Sequence, residues 1–429
     1  MPGQMPMKFY IDGHEQAMAS WPHPRQMEFV INQSKHHKHR PELALLLHAL
    51  QYNPAHASEL AMNPSIDWPL FFSLVCRHRV WHPVYKALNP SRDKQSPHAI
   101  LTRLANHCQR DQRRILITAG ETIRIARAFQ HAAIAHCFVK GTLLNVLVYG
   151  GLNTRPCKDI DVWVDTNNYA QAMAALIALG YQQTLPNYAL EGFKEAYYLS
   201  HKHDLAFFHP TQRVTVELHF RLSYFGIDFF PFQTVPLVPI HLMNVPIPAP
   251  QDDYHLLYLM IHGSIHAWVR LRWLHDIVLF IDSNRCDLNR IWNLAASLKC
   301  QHIVEQTLIL VKTLFPTNHP TFAPYLLPSP SQRAMQLAAL AQQFINSDYE
   351  MTDGLRNLNM FVKYRVYLAK LAVRGQKGHA LWGDLFKIDM LFPYVTFPRS
   401  CSFLYYLAYP LWVIRFIWKA IAHHIGALH

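Results

Sequence analysis

Paired cysteines are the first feature that this sequence lacks. Its 429 residues include seven cysteines, an odd number at wide spacing, and no Cys-x-x-Cys pair occurs. Disulfide frameworks and zinc ribbons need such pairs, so we predict free thiols in a reducing compartment. The N-terminal region also has no apolar signal core, and no internal repeat is evident. These absences favour a cytoplasmic location.

Acidic residues are scarce as well. Asp and Glu total 28 against 40 Lys and Arg, which gives a formal net charge of +12 at pH 7. Such an excess suits polyanionic partners, namely nucleotides, nucleic acid or an anionic membrane surface. The basic residues are spread along the chain and no RNA-binding signature occurs. Charge alone therefore does not choose among these partners, and nucleic acid stays open as one of them.

No apolar run reaches the length of a membrane span. The run Phe403–Ile414 is interrupted by Pro410 and followed by Arg415 and Lys419,. Its aromatic and basic residues suit peripheral contact with a membrane through residues 403–419, or a groove on a partner. Packing of the tail onto its own helical domain is the alternative. The inner membrane surface is therefore a second candidate location.

The chain does have length and apolar content. A hydrophobic fraction of 51% excludes wholesale disorder, and 429 residues predict two or three domains,. We predict a flexible basic arm over residues 1–40, a helical region over 41–130, an α/β core over 131–225, a helical domain over 226–400 and an apolar-basic tail over 401–429.

Two carboxylates share one face of a predicted strand. The segment Asp159–Asp165 has the sequence Asp-Ile-Asp-Val-Trp-Val-Asp, and this alternation places Asp159 and Asp161 on the same face,. A strand rises about 3.3 Å per residue, so the two Cα atoms lie roughly 6–7 Å apart. Mg²⁺ takes oxygen ligands and often only one or two protein carboxylates. The pattern predicts a divalent-cation site, with a solvated sheet face as the alternative.

A third carboxylate is predicted on a neighbouring strand. Residues 214–222 alternate strictly between apolar and polar, with Glu217 and His219 on the polar face,. If this strand lies beside the first, Glu217 faces the same cleft, and three converging carboxylates repel unless a cation neutralises them. We therefore predict Asp159, Asp161 and Glu217 as ligands of Mg²⁺ or Mn²⁺. His219 would contact phosphate or orient Glu217.

These motifs together resemble the nucleotidyltransferase fold, in particular a family of uncharacterised bacterial nucleotidyltransferase-like proteins. In that family a Lys-Gly pair takes the place of the usual Gly-Ser step, and Arg and then Asp-hydrophobic-Asp follow. The resemblance covers roughly residues 43–300. The matching segments are Ile66–Trp68, His78–Tyr85, Lys140-Gly141, Arg155, Asp159–Asp161, Glu217–His219 and Leu271–Ile277.

The resemblance implies an α+β fold and a transferase. A small mixed-sheet, polymerase-beta-like core would lie between N- and C-terminal helical domains. The enzyme would transfer a nucleoside monophosphate from an NTP, ATP being the expected one, to an unidentified acceptor and release pyrophosphate. Asp161 would bridge two metal ions, Asp159 would hold the ion on the nucleotide side, and Glu217 the ion on the acceptor side.

Phosphate contacts are predicted around the Gly turn. Gly141 opens a helix predicted over 142–149, whose free N–H groups favour phosphate oxygens. Lys140 and Arg155 would neutralise charge on the triphosphate, and the hydroxyl of Thr142 would reach phosphate. Further candidate contacts with the nucleotide or the acceptor are Arg270 and Arg272.

Some residues depart from the general pattern. The step after the first strand is Lys140-Gly141-Thr142, and the third acid is Glu217 rather than Asp. A catalytically degenerate nucleotide-binding or interaction protein is therefore a second interpretation. A membrane-peripheral protein of polysaccharide or secondary-metabolite biosynthesis is a third.

The downstream histidines have two interpretations, a separate metal site or burial in the core. His262 and His266 are one helical turn apart, and His275-Asp276 follow downstream, a spacing that can bind metals,. The flanking residues are almost wholly apolar, which favours buried core or cleft histidines instead.

Overall fold

A five-stranded mixed sheet lies at the centre of the protein, which is described here from a computed structural model. The structure describes residues 40–51, 54–89, 98–152, 154–224, 227–315, 330–348, 357–373, 388–412 and 414. The predicted basic arm, apart from Arg40, lies outside the described residues, and so does the end of the tail from Arg415 onwards.

The sheet has the strand order β1-β2-β5-β4-β3. β2 and β5 run parallel, whereas the other neighbouring strands are antiparallel. Together with the many helices around it, this small mixed sheet confirms the predicted α+β class. The strands are β1 His136–Phe138, β2 Asp159–Val164, β3 Gln182–Leu185, β4 Asp204–His209 and β5 Val214–His219.

The register between β2 and β5 sets the position of the acidic side chains. Asp161 pairs with Glu217, and Trp163 pairs with His219. Side chains of paired residues project from the same face of a sheet, because successive residues alternate between faces. The carboxylates of Asp161 and Glu217 therefore project together, as the alternating patterns predict.

The opposite face of the sheet is packed against helices. Ile160, Val162, Val216 and Leu218 are buried in one apolar cluster with residues of the long helix at His98–His131. Burial of this face leaves the polar face as the one that can hold a site. The N-terminal helices are α1 Pro41–Leu50, α2 Pro54–Ala61, α3 Trp68–His78, α4 Trp81–Leu88 and α5 His98–His131.

Three short helices belong to the α/β unit and connect its strands. They are α6 Thr142–Tyr149, α7 Tyr169–Ala178 and α8 Gly192–His201. Two small antiparallel pairs follow. They are β6 Ser223–Tyr224 with β7 Ile227–Asp228, and β8 Leu237–Leu242 with β9 Val245–Pro250.

The C-terminal helices share a core with the N-terminal ones. A second apolar cluster contains residues of α1, α3 and α4 together with residues of the helices at 252–265 and 271–282. These helices thereby cover the polar face of the sheet from one side. They are α9 Asp252–Ile265, α10 Leu271–Asp282, α11 Leu288–Ser297, α12 Gln301–Leu314, α13 Gln332–Asn346 and α14 Leu358–Leu371.

The described part of the tail packs against α8. Tyr405 and Tyr409 are buried in a third apolar cluster with Phe392 and with Tyr197 of α8. Phe392 lies in the helical domain predicted over 226–400, so the tail packs both on that predicted domain and on the α/β unit. Within the described ranges, no helix combines the length and the apolar composition that crossing a bilayer requires.

Candidate active site

An open cleft of about 420 Å³ lies between the polar face of the sheet and the helices α9 and α10. Its lining brings together side chains that are far apart in the sequence. Eight of the lining residues were predicted as site residues from the sequence. They are Lys140, Gly141, Arg155, Asp159, Asp161, Glu217, His219 and Arg272.

Three of these residues form a compact group with metal-ligand spacing. One ligand atom from each of Asp161, Glu217 and His219 lies within 4.8 Å of the others. Nε2 of His219 is 3.4 Å from Oδ1 of Asp161 and 3.7 Å from Oε2 of Glu217. The Asp161 side chain is 3% exposed and that of Glu217 is 34% exposed. Glu217 is therefore the member of the group closest to solvent.

Asp159 lines the same cleft but stands outside this compact group. It lies at the start of β2, where it pairs with Thr215 and is partly exposed. Its predicted role as a metal ligand stays a prediction. His219 takes the third place in the group, because residues 217 and 219 of β5 project from the same face.

Lys140 balances the charge of Asp161. Its Nζ is 2.7 Å from Oδ1 of Asp161, and the Lys140 side chain is 11% exposed. The backbone brings the two residues together, since the N–H of Val139 donates to the carbonyl of Asp161. The positive charge of Lys140 thus lies directly beside the buried carboxylate of Asp161.

The group is strongly polarised. Burial opposes the charge of Asp161, but the Lys140 ammonium and the bond from His219 hold the pKa of this carboxyl well below its usual range. Burial also opposes the charge of His219, yet its hydrogen bond to Asp161 and the nearby carboxylate of Glu217 raise its pKa to about 9. Burial and the neighbouring Asp161 raise the pKa of Glu217. Nε2 of His219 therefore carries a proton and donates it to Oδ1 of Asp161, with Oε2 of Glu217 at 3.7 Å,.

Gly141 makes the turn at the edge of the cleft, and α6 begins at the next residue. Its φ and ψ angles are 64° and −132°, a region that is costly for residues with a Cβ,. A Cβ at this position would lie 3.2 Å from the carbonyl oxygen of Asp159 and 3.4 Å from Sγ of Cys157. The turn therefore needs glycine, both for its backbone angles and for the close approach to β2.

We expect Gly141→Ala to lower the free energy of unfolding by about 1–3 kcal/mol, because alanine is strained at these backbone angles. Gly120→Ala is the matched control. Gly120 lies within α5, and nothing lies within 4 Å of its would-be Cβ. That substitution should raise the free energy of unfolding by about 0.5–1 kcal/mol. Urea unfolding of both variants measures the difference, and an equal response from the two would contradict the assigned turn.

Thr142 faces the core, contrary to its predicted contact with phosphate. It is 2% exposed, and its Oγ1 is 3.3 Å from Oγ1 of Thr122 in α5. The first residue of α6 turns inward because this helix packs against α5. The predicted contact of phosphate with the free N–H groups at the start of α6 stays a prediction.

Arg155 is held in a buried ion pair. Its Nε and Nη2 donate to Oδ1 and Oδ2 of Asp276 in α10, each at 2.8 Å, and the hydroxyl of Tyr149 donates to the same carboxylate. The backbone of Arg155 is fixed by two hydrogen bonds with the side chain of Asn145. Arg155 also lines the cleft, and its contact with a triphosphate stays a prediction.

Of the two predicted arginines of the C-terminal region, only Arg272 lines the cleft. It is 9% exposed, its Nη1 donates to the carbonyl of Pro156, and its buried Nε has no hydrogen-bond partner among the described residues. Burial and the nearby charge of Arg155 lower its pKa to about 10. Arg270 instead donates to the carbonyl of Arg77, outside the cleft lining.

The family model described as an uncharacterised nucleotidyltransferase matches residues 64–316. The chain belongs to this nucleotidyltransferase family. The match includes the cleft residues of β2, β4, β5, α9 and α10, and it confirms the predicted resemblance to a nucleotidyltransferase family. A search among curated proteins finds no match.

Two solved structures are similar to this nucleotidyltransferase over part of its length. The solution structure of the antibiotic-resistance factor ANT(2'')-Ia is 11% identical, covers 44% of this chain and 94% of its own, and has a TM-score of 0.31. The crystal structure of an antigenic nucleotidyltransferase-like protein from Paracoccidioides brasiliensis is 14% identical, covers 46% and 91%, and has a TM-score of 0.29.

The nucleotidyltransferase cleft also contains residues that the motifs did not single out. Arg79 reaches the lining from the end of α3, where it has the left-handed φ of 56°. Asp204 pairs with His219 across β4 and β5, and the ring of His203 stacks on that of His219. Asp204 begins β4, outside the two strands whose alternation predicted site residues. Arg79 depends on a helix end that the pattern does not locate.

His262 of α9 and His266, which directly follows this helix, line the cleft without forming a second metal group among the described residues. The ring of His266 stacks on Trp273, and burial lowers its pKa to about 3. Burial likewise lowers the pKa of His262 well below its ordinary value. His275 is buried between Tyr149 and the carbonyl of Leu50. Over the described ranges, the group with metal-ligand spacing is the one around Asp161.

Proposed function

We propose that this nucleotidyltransferase transfers a nucleoside monophosphate from an NTP to an acceptor and releases pyrophosphate. ATP is the expected NTP. One observation carries the proposal. Asp161, Glu217 and His219 converge at an open cleft that is also lined by Lys140 and Gly141. Family membership supports the reaction class, and the cleft supplies residues suited to it.

The residues present fit a divalent cation. Carboxylate oxygens are the ligands that Mg²⁺ and Mn²⁺ prefer, and Asp161 and Glu217 offer them from two paired strand positions,. We propose that these two residues hold the ion, with Asp159 as a further ligand on the nucleotide side. When bound, the ion would supply charge neutralisation for phosphate oxygens.

The remaining cleft residues would bind and orient the triphosphate. Lys140 and Gly141 line the cleft, and the Lys140 ammonium together with the free N–H groups at the start of α6 would bind phosphate oxygens there,. Arg272 would add a second cation, because its buried guanidinium lines the cleft and keeps unsatisfied hydrogen-bonding capacity. His219 orients the two carboxylates through its contacts with both.

Glu217 is placed to accept the proton of the acceptor. Among the carboxylates of the compact group it is the more exposed, and burial and Asp161 raise its pKa,. In the proposed step, an acceptor oxygen or nitrogen forms a bond to the α-phosphorus, and the bond from that phosphorus to the pyrophosphate oxygen breaks. The acceptor proton passes to Oε of Glu217.

A screen of the four NTPs with Mg²⁺ or Mn²⁺ tests this proposal. We expect pyrophosphate release that needs both the metal and the NTP and that increases when cell extract supplies an acceptor. Chelation by EDTA should abolish it. Absence of pyrophosphate for every NTP and metal, with extract present, would contradict the enzymatic proposal.

A catalytically degenerate nucleotide-binding protein is the second candidate, and the contact between Lys140 and Asp161 favours it. An ammonium 2.7 Å from the central carboxylate balances the charge that a metal would otherwise balance. This candidate predicts that an NTP binds equally well in EDTA and in Mg²⁺ by calorimetry, with no turnover. Tighter binding in Mg²⁺ would favour the enzyme instead.

A further inference from the structure

The tail helix, residues 404–412, has one face bound to the protein. Tyr405 is fully buried and Tyr409 is 8% exposed, in the cluster that includes Tyr197 of α8. The hydroxyl of Tyr405 donates to the carbonyl of Val395, and its ring stacks on that of Phe193. This face fixes the orientation of the helix on the α/β unit.

The opposite face is an apolar stripe that the described residues leave uncovered. Phe403, Leu407, Leu411 and Ile414 are 58%, 63%, 69% and 54% exposed. Their spacing of four, four and three residues places them within about 80° of one another at 100° per helical residue. The two faces of one short helix thus differ sharply, one buried and one open.

Aromatic residues lie beside this stripe. Tyr406 on the tail helix is 46% exposed, and Tyr394, on the segment that leads to it, is 73% exposed. Tyrosine rings combine an apolar body with a polar hydroxyl and are enriched at the boundary between lipid and water. Exposed tyrosines on the tail helix and on the segment before it therefore suit the interface at which a surface helix lies.

Negative charge is absent from this end of the chain. Residues 390–429 contain no Asp or Glu, whereas Arg399, Arg415 and Lys419 lie within them. Arg399 is exposed, four residues before Phe403. In the sequence, the residues of the stripe are thus flanked by basic residues and by no acidic ones within 390–429, a pattern that suits the anionic headgroups and the apolar interior of a bilayer,.

We propose that the tail helix binds the anionic surface of a lipid bilayer, with its stripe in the headgroup layer and its buried face on α8. The helix lies along the surface rather than across it, because its apolar residues occupy one side only. A stripe of twelve residues spans about 17 Å, which is short of the bilayer core but suited to this orientation. The nucleotidyltransferase would then work at a membrane surface.

Co-sedimentation of the full chain with vesicles tests the proposal. Vesicles of phosphatidylcholine with phosphatidylglycerol would be compared with phosphatidylcholine alone. We expect binding to the anionic vesicles and little to the neutral ones. Leu407→Glu should weaken that binding on the order of tenfold, because it places a carboxylate in the headgroup layer.

Ile177→Glu is the matched control. Ile177 is an exposed apolar residue of α7, 53% exposed, and the substitution adds the same charge away from the tail helix. It should leave vesicle binding unchanged. Circular dichroism melting would verify that both variants fold, since neither side chain contributes to a buried cluster.

Two results would overturn the proposal. The first is vesicle binding by Leu407→Glu equal to that of the wild type. The second is no binding of the wild type to anionic vesicles, together with a dimer in sedimentation velocity that Leu407→Glu dissociates, which would assign the stripe to a second copy of the chain.

Discussion

Asp161→Asn should reduce metal-dependent pyrophosphate release by at least about 100-fold. Asp161 is the carboxylate that Lys140 and His219 both contact, and it is 3% exposed. Asparagine keeps the shape of the side chain but removes the charge that would hold a divalent cation and balance these two groups. The measurement is the initial rate of pyrophosphate release at saturating NTP and Mg²⁺.

Asp165→Asn provides the control for this result. Asp165 lies just beyond β2, where its Oδ1 accepts from the N–H of Asn167, and it does not line the cleft. Asparagine also serves as a helix cap, so this variant removes a carboxylate without disturbing the turn. It should keep its activity. Full activity in Asp161→Asn, or equal losses in the two variants, would show that the carboxylate of Asp161 is not part of the catalytic group.

Asp276→Ala should lower the free energy of unfolding by about 3–5 kcal/mol. The Arg155–Asp276 pair is almost fully buried, with side-chain exposures of 4% and 2%. Removing the carboxylate leaves a buried guanidinium without its partner and also removes the acceptor of the Tyr149 hydroxyl,. The shift of the urea midpoint, followed by tryptophan fluorescence, measures this loss.

Arg285→Ala tests whether burial is the cause. Arg285 pairs with Asp252, but its side chain is 41% exposed. Water screens an exposed pair, so this substitution should cost about 1 kcal/mol or less. The double replacement Arg155→Met with Asp276→Leu should regain much of the stability lost in Asp276→Ala, since no unpaired charge remains. Equal costs for Asp276→Ala and Arg285→Ala would refute the assigned role of burial.

Local patterns in the sequence predicted much of the α/β unit. Strict alternation located β2 and β5, and the Gly turn predicted a helix over 142–149 that agrees with α6. The meeting of Asp161 with Glu217 followed from the period of two, once the two strands lie side by side,. Periodicity is a property of neighbouring residues, so a prediction based on it does not depend on how distant segments pack.

Contacts between distant segments could not be predicted in the same way. The partner of Arg155 is Asp276, which lies 121 positions away on a helix of another region. The inward turn of Thr142 depends on the packing of α6 against α5, and the left-handed end of α3 brings Arg79 to the cleft. Such side chains are positioned by tertiary packing, and a single sequence carries no local signal for it.

The spacing of the two central carboxylates is set by the main chain. Asp161 and Glu217 lie on parallel strands in register, and such strands are held about 4.8 Å apart by their backbone hydrogen bonds,. Insertions in the connecting loops, or substitutions around the cleft, can change which molecules fit the cleft while the separation of the two strands stays fixed. The chemistry and the choice of acceptor can therefore diverge independently in related chains.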